Sequence, residues 1–136
     1  MMRSIQWLLL VAVFAMAQNK LPPEIVNDRF RHVLEVDPVH YKRDLEDDRI
    51  RVLRAHLGPG EAVPMHDDRA YVTIAITELH LRLSKPGERP FDVHMKAGES
   101  RLGYADMHSI ANINTKPADY LVIELKDLTP RNRNRP

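Results

Sequence analysis

Seven histidines and no cysteine make imidazole the main nitrogen donor this chain offers a metal. Thiolate metal sites, cysteine nucleophiles and disulfides are excluded, so packing alone must hold the fold. The position of each histidine within its strand-like run sorts them. His80, between Leu79 and Leu81, points away from a core, and so does His94, which is out of phase with Phe91, Val93 and Met95. His32 is in phase with Phe30 and Leu34 as an interior histidine, His40 lies in a loop, and His56 sits in a run whose phase changes. His66 and His108 remain. Each follows a glycine-bearing turn and stands at the mouth or start of a strand. A neutral imidazole there suits either a divalent metal or a hydrogen bond inside a pocket.

No other arrangement competes with this pair. There is no G-x-S-x-G elbow, Walker loop or dinucleotide fingerprint. Ser109 adjoins His108 but belongs to the opposite face of its strand. The charged run YKRDLEDD, Tyr41 to Asp48, lacks the spacing of a calcium loop and reads as a solvated connector. Tyr104 and Asp106 precede His108, where a turn role and a ligand contact at the barrel mouth are both open.

The elements that must position these residues are short and strand-like. Arg29 to Val36 carries Phe30, Leu34 and Val36 in one phase and ends at Asp37-Pro38. Ile50 to Leu57 changes phase between Val52 and Leu53, which suggests a bulge or burial on both faces. Gly58-Pro59-Gly60 turns the chain. From Tyr71 to Thr77, Val72, Ile74 and Ile76 form one face, expected to be inner, and Tyr71 and Thr73 the other. Leu79, Leu81 and Leu83 continue to the turn SKPGERP; Phe91, Val93 and Met95 follow, then strands near 107–115 and 120–126. No stretch after the leader keeps a helical apolar period over three turns. Many short strands at roughly 8- to 12-residue spacing imply an all-β sandwich or barrel.

At this point the sequence resembles a family. Gly60, five residues and His66 resemble the first motif of the cupins, G-x5-H-x-H-x3-E. Gly98, nine residues, His108, three residues and Asn112 resemble the second. VDPVHYKRDLEDDRIRVLRAHLGPGEAVPMH is similar to the front half of small single-domain bacterial cupins, and YLVIELK to their closing strand, so the resemblance runs from about Val26 to Lys126. It implies a small double-sheet jelly-roll barrel. It also implies ligand positions at His66, Asp68, Val72 and His108, where Asp68 replaces a histidine and Val72 a glutamate. The usual Pro-x-Gly ahead of the second histidine reads Tyr104-Ala105-Asp106.

Two imidazoles and one carboxylate, His66, Asp68 and His108, are a workable set for Fe, Mn, Zn, Ni or Cu, with positions left open for water or substrate. Without a metal the two histidines would simply line a pocket. Val72, Ile74, Ile76, Tyr104, Ile110 and Asn112 are expected around that cavity. Two functions follow from the resemblance. One is capture of a small molecule in the barrel, with no metal required. The alternative is a metal-dependent enzyme of dioxygenase or isomerase type on His66, Asp68 and His108. The resemblance also permits a homodimer formed through a sheet face, for which outward Tyr71 and Thr73 would be suited.

The ends frame this domain. Arg3, the apolar run Trp7 to Ala17 and Ala15-Met16-Ala17 have the layout of a secretory signal cleaved before Gln18. The run is shorter than the roughly 20 residues a membrane helix needs, and there is no cysteine to acylate, so no stable membrane anchor is expected. The organisation read is signal peptide 1–17, extended lead-in 18–27, barrel 28–127 and basic tail 128–136, in a secreted or periplasmic protein. Twenty basic residues face nineteen acidic ones, a balance that gives no reason to expect nucleic acid as a partner. The tail TPRNRNRP reads as a solubilising end.

Overall fold

The computed structural model describes residues 31–126. The signal-like segment, the lead-in and the basic tail lie outside the described residues. Alternation and turn chemistry dictate the architecture. β9, Ala118–Leu125, alternates without a break: Ala118, Tyr120, Val122 and Glu124 are buried, and Asp119, Leu121, Ile123 and Leu125 are not. β2, Ile50–Leu57, buries Leu53, Ala55 and Leu57 and pairs with β9 along its full length. Between the hairpins, Gly60 and Gly98 take positive φ values of 75° and 86°, which a side chain rarely adopts.

The remaining strands are β1 (Tyr41–Glu46), β3 (Ala62–Asp68), β4 (Tyr71–Ala75), β5 (Leu79–Ser84), β6 (Phe91–Met95), β7 (Ser100–Gly103) and β8 (Asp106–Asn112). They form two antiparallel sheets, ordered β1-β2-β9-β4-β7 and β3-β8-β5-β6. Leu53, Leu57, Leu79 and Tyr120 are sealed between the sheets. The fold is the expected all-β jelly-roll barrel.

Four local readings are corrected. The run read as a strand over 29–36 is not one in its described part, 31–36. His32 makes a single bridge to Asp67, and Val33–Val36 form one helical turn, α1. The His32 ring caps it, its Nδ1 accepting from the Leu34 N–H at 3.2 Å. The Tyr41–Asp48 connector contains edge strand β1. Its charges face water because only one side of an edge is paired, and Arg43 and Arg54 spend theirs on Glu46 and Asp44. The phase change at Val52/Leu53 is real, but the irregularity sits in β1, between Arg43 and Leu45, rather than in β2.

The fourth correction decides where the interior lies. Val72 and Ile74 face out, and Tyr71 and Thr73 face in, the reverse of the expected phase of β4. On the outer face Leu45, Val52, Ile123, Val72 and Leu102 are successive cross-strand partners through all five strands. Both faces of this sheet are therefore apolar, and alternation alone does not say which one is covered. The proposed dimer face of Tyr71 and Thr73 is thus not available for contact.

Glu124 is fully buried on the inner face at one end of β9. A buried carboxylate needs hydrogen-bond donors to replace its lost hydration. It receives His32 Nε2 at 2.6 Å and Arg51 Nη1 at 3.2 Å. Glu46 lies 2.9 Å from Arg51 and 2.5 Å from Lys126 Nζ, so the network reaches the surface.

Candidate metal centre and cavity

β3 and β8 carry the candidate ligands, and their register brings them together. His66 and His108 are directly opposed, and Asp68 opposes Asp106 one inward position further on. A bulge between Val63 and His66 is essential, because Val63 and His66 are three residues apart and both buried. Regular alternation would have turned His66 to solvent.

The three residues converge. His66, Asp68 and His108 are 2 %, 8 % and 1 % exposed. Asp68 Oδ2 lies 3.0 Å from His108 Nε2 and 3.4 Å from His66 Nε2. Each imidazole is committed on its far side. His66 Nδ1 donates to the Pro64 carbonyl at 2.8 Å, and His108 Nδ1 donates to Asp106 Oδ1 at 2.9 Å. Lys85 holds the other oxygen of Asp106 at 2.5 Å. This outer shell fixes both tautomers so that the Nε2 atoms face Asp68, the usual preparation of metal-binding histidines. The two distances from Asp68 Oδ2 match those between ligands of one ion, and all three donor atoms lie within 4.8 Å of one another. Ligand atoms about 2.1 Å from a common ion lie about 3.0 Å apart at an octahedral angle and about 3.4 Å at a tetrahedral one.

The electrostatics match a preformed anionic cradle. Burial pushes the Asp68 pKa up, but hydrogen bonds from His108 and His66 outweigh it and hold the carboxyl well below its usual range. Burial lowers the His108 pKa, yet the Asp68 contact wins and the imidazole is raised above its ordinary value. Without a metal the pair is a buried ion pair. A divalent ion would displace the His108 proton.

A cavity of about 70 Å³ opens beside this cluster. Asp68 and His108 form its polar end, and Leu81, Met95 and Ile110 its apolar wall. Three tyrosines, none of them anticipated as a lining residue, also face it. Tyr41 and Tyr120 are buried and share a 2.5 Å hydroxyl contact. Tyr71 lies edge-on to His108 with ring centroids 6.2 Å apart. Burial raises all three phenol pKa values, so these groups remain neutral.

Of the expected pocket residues, Ile110 lines the cavity. Val72 and Ile74 are on the outer sheet face, Ile76 is 43 % exposed and Tyr104 is 75 % exposed. Val72, the fourth ligand position implied by the resemblance, therefore cannot reach the cluster. Asn112 is fully buried but serves the loops. Its amide donates to the carbonyls of Leu57, Gly58 and Lys116, and its Oδ1 accepts from Asn114 N–H. Phase misplaces Tyr71, and Tyr41 is hidden at the start of a charge-rich run. The one usable signal is aromatic alternation with Thr73, which fits an inner face as well as an outer one.

The other histidines have partners elsewhere. His40 bridges Asp37 and Glu61, His56 pairs with Asp119, and His94 with Glu78. Among the described residues, His66, Asp68 and His108 form the one group of three or more acidic or imidazole side chains close enough to share an ion.

No protein-family model matches the chain, and no curated protein matches it. Solved structures do. A cupin domain from Bordetella pertussis Tohama I superposes with a TM-score of 0.60 at 21 % identity, over 64 % of this chain and 92 % of that one. An RmlC-like cupin family protein with a double-stranded β-helix fold, from Methanocaldococcus jannaschii, gives 0.51 at 20 % identity, over 62 % and 77 %. A cupin superfamily protein from Desulfitobacterium hafniense DCB-2 gives 0.50 at 16 %, over 64 % and 76 %. The chain has the cupin fold. Within it stands a buried His-Asp-His cluster at the end of a small cavity.

Proposed function

We propose that the protein binds one divalent transition metal on His66, Asp68 and His108 and uses it on a small organic molecule held in the cavity. The observation that carries this reading is the convergence of both Nε2 atoms on one Asp68 oxygen while both Nδ1 atoms are engaged outward. When bound, a metal with two imidazoles, one carboxylate and open positions supplies Lewis-acid or, for iron, redox chemistry. The chain's own residues do the rest. Asp106 keeps the proton on His108 Nδ1 and so keeps Nε2 available. The apolar wall excludes water, and the neutral Tyr71 and Tyr41–Tyr120 hydroxyls offer hydrogen bonds to ligand oxygens. The leader-like residues 1–17 support action outside the cytoplasm.

A metal-free binding protein is the second reading, favoured by the Asp68–His108 contact of 3.0 Å, which satisfies both groups unaided. Elemental mass spectrometry of untagged protein decides between them, with His108→Gln and Asp68→Asn measured alongside. Near one equivalent of metal in the wild type and a large loss in folded variants is expected. No metal in the wild type after reloading with Fe, Mn, Zn, Ni or Cu would leave only the binding protein.

A further inference from the structure

The cavity is chemically graded. Asp68 and His108 are its buried polar residues, aliphatic side chains stand beside them, and half-buried Thr73 and exposed Arg101 reach toward solvent. Thr73 and Arg101 are paired across β4 and β7, so both project to the same inner side of the sheet. Arg101 is the one arginine or lysine in the lining. Arginines 43, 51, 54 and 82 are each tied to a carboxylate. By contrast, neither the Arg101 guanidinium nor the Thr73 hydroxyl has a partner among the described residues.

We propose that the ligand is a short-chain organic carboxylate, its carboxylate held by Arg101 and Thr73 at the rim and its body directed toward Asp68 and His108. This rests on the reading of the cavity as the binding site. A guanidinium offers two parallel N–H donors to the two oxygens of a carboxylate, and the Thr73 hydroxyl adds a third. One cation balances a monoanion, whereas a phosphate dianion would be left half neutralised. Asp68 and Asp106 are already met by His108 and Lys85, so the exposed Arg101 is where an incoming anion is held. Size sets the chain length. One water fills about 10–15 Å³ of such space, so about 70 Å³ admits a body of only a few carbons. The walls of Leu81, Met95 and Ile110 suit an aliphatic body.

Pentanoate and pentanamide are matched probes that differ in charge. So small a ligand binds weakly, and titration followed by NMR of the full protein reads it. Metal-stripped and zinc-loaded protein are compared for wild type, Arg101→Gln and Arg101→Lys. Because Arg101 is exposed, its contribution is screened. The expected preference for pentanoate in metal-stripped wild type is about tenfold at low ionic strength and shrinks with added salt. Arg101→Gln should erase that preference and leave pentanamide binding unchanged, while Arg101→Lys keeps part of it. Equal binding of acid and amide, binding of neither, or a preference that survives Arg101→Gln would overturn the proposal. So would a preference seen only with zinc, which would make the metal the anion's partner. If no zinc binds but the Arg101-dependent preference persists, the metal reading fails and the carboxylate site stands.

Discussion

Gly103 and Tyr71 are cross-strand partners, and the phenol ring lies flat over the glycine. A Cβ built on Gly103 would fall 2.2 Å from Tyr71 Cζ and 2.4 and 2.6 Å from the two Cε atoms. Carbon atoms pack comfortably at about 3.5 Å or more. In Gly103→Ala the ring must therefore retreat by roughly 1.3 Å, or β7 must swing off β4 by a similar amount. The retreat has a fixed direction, away from β7 toward the cavity and the His108 ring. Overpacking of this kind costs about 1–3 kcal/mol. For a domain of this size that corresponds to a fall in Tm of roughly 5–15 °C. Thermal unfolding followed by circular dichroism measures it in Gly103→Ala, Tyr71→Ala and the double variant. With the ring removed, the added methyl should cost almost nothing, giving a coupling of about 1 kcal/mol or more. Gly103→Ala melting with the wild type, or costing as much in the Tyr71→Ala background as beside the intact ring, would refute the placement of Tyr71 and with it the shape of the cavity.

Three further outcomes are expected. Asp106→Asn weakens the hold on His108 Nδ1 and lowers metal affinity by about 10- to 100-fold, with stoichiometry at saturation unchanged, as read by chelator competition. Asn112→Ala strands the loop carbonyls that its amide serves and costs about 2–4 kcal/mol, seen as a lower urea midpoint at constant slope. His40 is raised above its ordinary pKa by its hydrogen bond to Asp37, against burial and with help from Glu61. A raised folded-state pKa gives stability that is complete below about 6.5, the unfolded value, and is lost as pH rises through the folded value. The difference in Tm between wild type and His40→Gln should therefore be larger at pH 5.5 than at pH 9, and a pH-independent difference would exclude the clamp.

The barrel and the two candidate histidines were legible from local signals, and the family resemblance placed Asp68 with them. Glycine turns and period-2 alternation announce strands, and spacing from those turns singles out His66 and His108. Asp68 was readable as a neighbour two positions along, but the bulge that turns it inward with His66 is a property of the β3–β8 register. The pocket was the weak point. In β4, Val72 and Ile74 look like core because they are apolar, yet Tyr71 and Thr73 occupy the interior. The outer face of that sheet is apolar too, so hydrophobicity lost its power to distinguish inside from outside. β1 was masked for the opposite reason: an edge strand's solvent side is charged, and only Tyr41 betrays its buried end. Arg101 carried no sequence signal, since its meaning comes from facing Thr73 across two strands joined by a long connection.

The order β1-β2-β9-β4-β7 places the last described strand at the centre of the larger sheet. β2 and β4 touch β9, not each other, so until β9 is available both keep an open hydrogen-bonding edge. Its partners lie far back in the chain: Leu57 opposite Ala118, and Tyr71 opposite Glu124. Closing such distant pairs is slow, on the order of milliseconds to seconds for all-β domains. The middle of the larger sheet is thus supplied by the strand farthest along the described chain. During that interval two apolar strands are unguarded against pairing with other chains. Losing a few residues from β9 would open the middle of the sheet rather than fray its margin.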